Sequence, residues 1–267
     1  MFLLACAIAE SQNNTNLILC FLILHFLVYP ASNGYNSYFD KDEDSIGGLK
    51  NPPKVTKELY SVALVMDGVA LLLSLLISIE FMMMVLIYGL ISKAYSHPSI
   101  RLKKFPILGW LAAGIFQGYF TYLLSIIAIQ DVSLQETLTQ RIQIPGIMSS
   151  LLLLGSYPMT QIYQHEEDAK RGDHTISRLL GILGTFHFTA IAFAIATAGF
   201  AYYFLTYFDL QIAFYYMIFL SPVLVYFGIW YLKARADQAQ ANFTRTMRLN
   251  LLSSLMLNGF FLFLWLR

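Results

Sequence analysis

Three side chains at four-residue intervals, Asn36, Asp40 and Asp44, stand where an apolar run gives way to the polar string NSYFDKDED. On a continuing helix that interval places them on one face, and His25, Tyr29 and Asn33 carry the same stripe back into the apolar run. Carboxylates so close repel one another unless positive charge lies between them. A hard divalent cation with oxygen ligands, Mg²⁺ holding substrate phosphates, answers that need. A solvated acidic helix end is the other reading of the same residues.

A second string, QIYQHEEDAKRGDHT over residues 161–175, aligns Gln161, Gln164 and Asp168 on one helical face. Glu167 is adjacent, and Asp173 follows a turn expected at Gly172. Between the two strings, YSHPSIRLKK over residues 95–104 supplies Arg101, Lys103 and Lys104. Lys104 reads as ordinary charge at a membrane border. Arg101 and Lys103 suit a diphosphate, which needs guanidinium or ammonium donors on the side its metal leaves open. Two oxygen-rich clusters, a basic loop and an apolar interior describe a site for a diphosphate with a greasy tail.

The elements that must position these residues follow from composition. Hydrophobic residues make up 57% of the 267 and charged residues 12%, against about 45–50% and about 25% in soluble domains. A water-facing globule is therefore excluded. A helix crosses a bilayer with about 20 apolar residues. Runs near 17–38, 59–78, 81–95, 105–128, 142–164, 176–203, 210–232 and 247–266 fit that length. The expectation is an all-α, polytopic membrane helical bundle, a single domain over 1–267, with Met1–Ala9 the tail of a truncated first helix.

All Lys and Arg except Arg141 and Arg267 fall in the segments 41–57, 93–104, 170–178 and 233–248. Alternate counting of spans puts the four segments on one face. By the positive-inside rule that face, which carries both acidic strings, is the cytoplasmic side of a bacterial-type cell membrane. A net charge of +1 gives no field for nucleic acid. Cys6 and Cys20, both within apolar runs, exclude a disulfide framework.

The pattern resembles the UbiA-type intramembrane prenyltransferases. Asn36, Asp40 and Asp44 match that family's Asn-x-x-x-Asp-x-x-x-Asp motif; SHPSIRLKKFP looks like its Ser-x-Pro…Arg-x-Lys segment, and YQHEEDAKRGDHT like its second acidic motif. The resemblance implies a nine-helix fold that transfers a prenyl group from an isoprenyl diphosphate to an acceptor, often aromatic, with Mg²⁺, as in quinone biosynthesis. It also implies residue roles. Asn36, Asp40 and Asp44 would hold the diphosphate through Mg²⁺; Asp168, with Gln164 and Asp173, would hold a second Mg²⁺. Arg101 and Lys103 would contact diphosphate oxygens. Gln164 stands where many members carry Asp, which weakens that second site on charge grounds.

Asp67, inside an apolar run, is a functional candidate by the rarity of intramembrane acids. His25 and His187 are candidates for orienting or deprotonating an acceptor, or else interhelical hydrogen-bond partners. Two competing classes are a transporter or permease with acidic gating residues and a noncatalytic protein on the same scaffold. Transport predicts ionisable groups along a path through the bilayer midplane, whereas most polar groups here gather at one face.

Overall fold

The computed structural model describes residues 1–41 and 52–267. All regular structure among them is helical. Asp44, the third residue of the first acidic stripe, lies outside the described residues.

The chain opens with a short helix, α1 (Phe2–Ile8), and then a long rod, α2 (Asn14–Leu22) and α3 (Tyr29–Asp40), joined by a wide π-type turn, Ile23–Val28. Asn13 caps the rod by accepting the Asn16 N–H at 3.2 Å. The wide turn has a local cause. Pro30 brings no N–H and its ring crowds the preceding turn; just before it the backbone loosens, with the Tyr29 N–H reaching back to the Leu24 carbonyl. The rod ends at Lys41, whose left-handed backbone (φ 49°) turns the chain away directly after Asp40.

Next come α4 (Lys57–Ser74) and α5 (Ile79–Ser96), then a single tight turn at Leu102–Lys104. A second composite rod pairs α6 (Pro106–Ile115) with α7 (Thr121–Gln130) through another wide turn, Phe116–Phe120. Its loosened backbone is satisfied from the neighbouring helix α8 (Gln140–Gln161): the Tyr119 N–H donates to Ser150 Oγ at 2.9 Å, and Ser150 Oγ donates to the Gly114 carbonyl at 2.9 Å. In hydrocarbon no water could take those groups, so a partner helix must.

A short helix α9 (His165–Arg171) precedes α10 (Ile176–Tyr207), α11 (Leu210–Ala236) and α12 (Phe243–Leu266). Gly181 breaks the regular backbone inside α10 with φ 69°. Helix α8 runs along α10, α11 along α12, and α3 lies between α4 and α5, while α1 plugs in against α7 and α12. Aromatic side chains fill the far half of the bundle, with Phe204, Tyr216 and Phe260 in mutual contact and fully buried. Leu72, Leu90, Leu210 and Leu232 face outward.

Among the described residues, six rods are long and apolar enough to cross a membrane: 14–40, 79–96, 106–130, 176–207, 210–236 and 243–266. The other two expected spans form helices of the right length but are more polar. Helix α4 carries Lys57, Glu58 and Asp67, and α8 begins Gln140-Arg141 with Gln143 one turn on.

Candidate functional site

Four elements meet at one end of the bundle: the end of α3, the loop after α5, the end of α8 with α9, and the turn into α10. They enclose a polar cavity of about 150 Å³. Its lining includes Asn36 and Asp40 from α3, Lys103 from the loop, Gln161 from α8, and Gln164, Asp168 and Asp173 around α9. The two acidic strings therefore face one pocket, as the sequence predicts.

The basic residues stand between the acids. Lys103 forms an ion pair with Asp40, and its Nζ also donates to Asn36 Oδ1 at 3.1 Å. Ser96 Oγ donates to the same Asn36 oxygen at 2.7 Å. Arg101 spans the gap, with Nη1 3.6 Å from Asp40 Oδ1 and a two-point contact to Asp173, Nε to Oδ1 at 3.0 Å and Nη2 to Oδ2 at 2.9 Å. Backbone geometry serves that reach. Arg101 adopts a left-handed conformation (φ 47°), a costly one for a side-chain-bearing residue. The loop rests directly on α6, where a Cβ added at Gly109 would lie 2.8 Å from Lys103 Cα.

Electrostatics follow from burial and pairing. Burial pulls the Lys103 ammonium below its usual range, while Asp40 works in the opposite sense. The Asp173 hydrogen bonds hold Arg101 above its usual value. Burial raises the Asp168 carboxyl to about 6, a hydrogen bond from Thr175 Oγ1 at 3.1 Å opposes the shift, and the Asp173 charge adds to it. Arg171 and Arg178 act on Asp168 in the lowering sense but do not prevail. Two buried oxygens in the cavity, Asp40 Oδ1 and Gln161 Oε1, have no hydrogen-bond donor among the described residues.

Those orphaned oxygens bear on Mg²⁺. The lining offers oxygen ligands and neither imidazole nor thiolate. Among the described residues no three acidic or imidazole groups converge on one point. That arrangement suits an ion that keeps several waters and is held by one or two carboxylates plus substrate phosphates. The residues fit such an ion.

Sequence and structure part company at the second string. Helix α8 stops at Gln161, the Gln164 N–H closes a tight turn onto the Gln161 carbonyl at 2.9 Å, and Asp168 rides on separate α9. Gln161, Gln164 and Asp168 thus share a cavity, though not one helix face. Glu167 is tied to Arg171 one turn along α9. Tyr157 and Thr160 also line the cavity and escaped the sequence reading. Their spacing of four and one from Gln161 was the available signal. Tyr157 is hydrogen-bonded, hydroxyl to hydroxyl, to Tyr95.

Thr160 lines a second space as well, a largely apolar chamber of about 410 Å³ enclosed by α1, α8, α10, α11 and α12. Tyr95 also borders a cleft with Ser32 and Gln117, which continues into a hollow of about 400 Å³ beside His25, Tyr29 and Asn33; this hollow shares Met1 and Leu153 with the apolar chamber. The stripe from His25 to Asp40 therefore forms one wall of linked cavities. His25 Nδ1 lies 3.0 Å from the Phe21 carbonyl. The remaining intramembrane candidates serve contacts between helices: Asp67 pairs with Lys93, and His187 Nε2 meets the Tyr231 hydroxyl at 2.9 Å. These are two of the ionisable groups on which the transport reading rests.

A prenyltransferase scaffold is what this arrangement of helices and polar mouth defines. The UbiA prenyltransferase family matches residues 1–252, and the chain belongs to that family, as an integral multi-pass membrane protein. Solved structures agree on the fold. A UbiA homolog from Archaeoglobus fulgidus bound to GPP and Mg²⁺ superposes with a TM-score of 0.63 at 16% identity, covering 100% of this chain and 95% of that one. The same homolog bound to DMAPP and Mg²⁺ gives 0.64 at 17%, covering 98% and 94%. A digeranylgeranylglyceryl phosphate synthase gives 0.65 at 17%, covering 98% and 90%. No curated protein matches the chain in sequence.

Proposed function

We propose that this chain is a Mg²⁺-dependent prenyltransferase that moves an isoprenyl group from its diphosphate to a small aromatic acceptor, as in quinone biosynthesis, with the polar mouth facing the cytoplasm. The observation that carries the reading is the pocket in which Asp40 and Asp168 face each other across Lys103 and Arg101, directly above an apolar chamber reached past Thr160. Mg²⁺ would be held by Asn36 and Asp40 on one wall and by Asp168 with Gln164 on the other; Asp44, outside the described residues, joins the first set on its sequence spacing alone. Bound there, it would draw charge from the diphosphate and so ease departure of that group.

The chain's own residues do the rest. Lys103 and Arg101 exchange part of their hold on Asp40 for diphosphate oxygens, and Asp173 keeps the guanidinium aimed. The allylic C–O bond breaks, its electron pair leaving with the diphosphate. The rings of Tyr95 and Tyr157 supply electron-rich faces beside the forming cation. A carbon or oxygen of the acceptor then bonds to the allylic carbon, and the proton it sheds passes to the departed diphosphate. The apolar chamber takes the isoprenoid tail and excludes water, which would otherwise capture the cation.

The experiment is diphosphate release by purified protein in lipid vesicles, with prenyl diphosphates of several lengths against a panel of aromatic acids and phenols. Loss of turnover with chelator and with Asp40→Asn is the expected result. Absence of any Mg²⁺-dependent diphosphate binding by folded protein would sink the reading.

A further inference from the structure

On the outer side of the same two loops lies an open hollow of about 590 Å³ that the transfer reaction does not use. Lys104, His174 and Arg178 line it together with Phe105 and Leu179, and among the described residues no acidic side chain does. Asp173, adjacent in sequence to His174, is committed to Arg101. Lys104 is exposed and makes no ion pair among the described residues. Arg178 donates to the neutral Asp173 carbonyl and makes no ion pair among the described residues, although its charge is felt at Asp168.

The position of the hollow fixes its surroundings. Two membrane-crossing rods begin here, one at Pro106 and one at Ile176, which sets the hollow at the depth of lipid headgroups. Immediately below it the first turns of both rods turn apolar side chains outward: Leu108 is 52% exposed and Leu179 67%. Cationic groups above and bare hydrocarbon-facing side chains below are the two halves of an amphiphile's complement.

We infer that this hollow is a binding site for an anionic membrane phospholipid, its phosphate between Lys104 and Arg178 and its acyl chain along Phe105, Leu108 and Leu179. Charge complementarity and depth choose the lipid over a soluble anion, since a free phosphate has no use for the apolar half. Occupancy has a consequence for the pocket behind it. The His174 N–H donates to the Lys104 carbonyl at 3.1 Å, pinning the two loops together, and Thr175 lines both the hollow and the polar cavity. A lipid bridging Lys104 and Arg178 braces the wall that carries Asp168 and Asp173.

The test uses the full chain in phosphatidylcholine vesicles with trace spin-labelled lipid, reading the motionally restricted fraction and requiring no turnover. Spin-labelled phosphatidylglycerol should be restricted in preference to spin-labelled phosphatidylcholine. Each basic side chain at an anionic surface is worth about fivefold in affinity. Lys104→Gln should therefore lower the preference about fivefold, and Lys104→Arg should restore it. Equal restriction of the two lipids, or a preference untouched by Lys104→Gln, overturns the proposal. Displacement of phosphatidylglycerol by inorganic phosphate also overturns it, by assigning the hollow to a soluble anion.

Discussion

Arg101 grips Asp173 at two points, 3.0 and 2.9 Å, across 72 residues of sequence, and so ties the loop after α5 to the turn before α10. The fork matters because only a planar guanidinium can satisfy both carboxylate oxygens at once and still present an N–H toward Asp40. Arg101→Lys keeps the charge and loses the geometry. Losing one charge-assisted hydrogen bond costs about 1.5–3 kcal/mol. Diphosphate affinity, measured by titration calorimetry in detergent with Mg²⁺ present, should fall by at least about tenfold, with helical content by circular dichroism unchanged.

Lys103 and Asp40 are a nearly buried pair, with side chains 11% and 5% exposed. Removing one partner leaves the other charge stranded in a poorly hydrated place, which costs more than removing both. Asp40→Asn alone should lower the thermal unfolding midpoint more than Asp40→Asn combined with Lys103→Met. Both proteins should lose Mg²⁺-dependent diphosphate binding. A double variant less stable than the single one would mean that the pair is not coupled.

Much of this arrangement is legible in sequence, and the missing part has a physical reason. Asn36 and Asp40 are readable because four residues is one helical turn, a local rule. The separation of Gln161 from Asp168 is not, because the tight turn at Gln164 interrupts a polar run that reads as continuous helix. Pairings across α4 and α5, such as Asp67 with Lys93, depend on how two helices align, and no spacing rule reports that. Tyr157 and Thr160 follow a run of four leucines in α8, where hydroxyls look like ordinary helix contacts. The order of helices is readable from apolar length alone, since eight runs become eight long helices.

Asp168 gives the site a pH dependence with a definite sign. Its carboxyl sits at about 6, above the ordinary value of 3.8. A raised acid stabilises the fold through its protonated form, a contribution fully present below pH 3.8 and lost as pH rises through about 6. Metal binding runs the other way, because a cation needs the carboxylate. Mg²⁺-dependent diphosphate affinity should weaken as pH drops below about 6, by up to about tenfold per unit while one proton competes. The inflection should vanish in Asp168→Asn, and a wild-type profile flat from pH 5 to 8 would refute the assignment.

Gly109 gives the loop its seat. A methyl group there would meet Lys103 Cα at 2.8 Å, with backbone and not a flexible chain in the way. Gly109→Ala should displace the Lys103 backbone outward and lower diphosphate affinity several-fold. The unfolding midpoint should move little, because alanine is the better helix former by about 1 kcal/mol. Unaltered affinity would place the loop's rigidity elsewhere.

Thr160 borders both the polar cavity and the apolar chamber, so under the proposed function its side chain would stand between diphosphate and tail. A larger apolar residue there narrows the passage without touching any charged group. Thr160→Leu should therefore leave inorganic diphosphate binding within about twofold of the parent, since no charge-assisted hydrogen bond is removed. Binding of a prenyl diphosphate, by contrast, should weaken because the tail must thread past the added methyl groups, and it should weaken more for a branched geranylgeranyl chain than for a dimethylallyl group. Each buried methylene the tail cannot place costs about 0.8 kcal/mol, so the difference between the two donors measures how much of the tail lies beyond the gate. If both donors lose affinity equally, the tail does not enter the chamber between α8, α10 and α12, and the neighbouring hollow beside Tyr29 and Gln117 becomes its path.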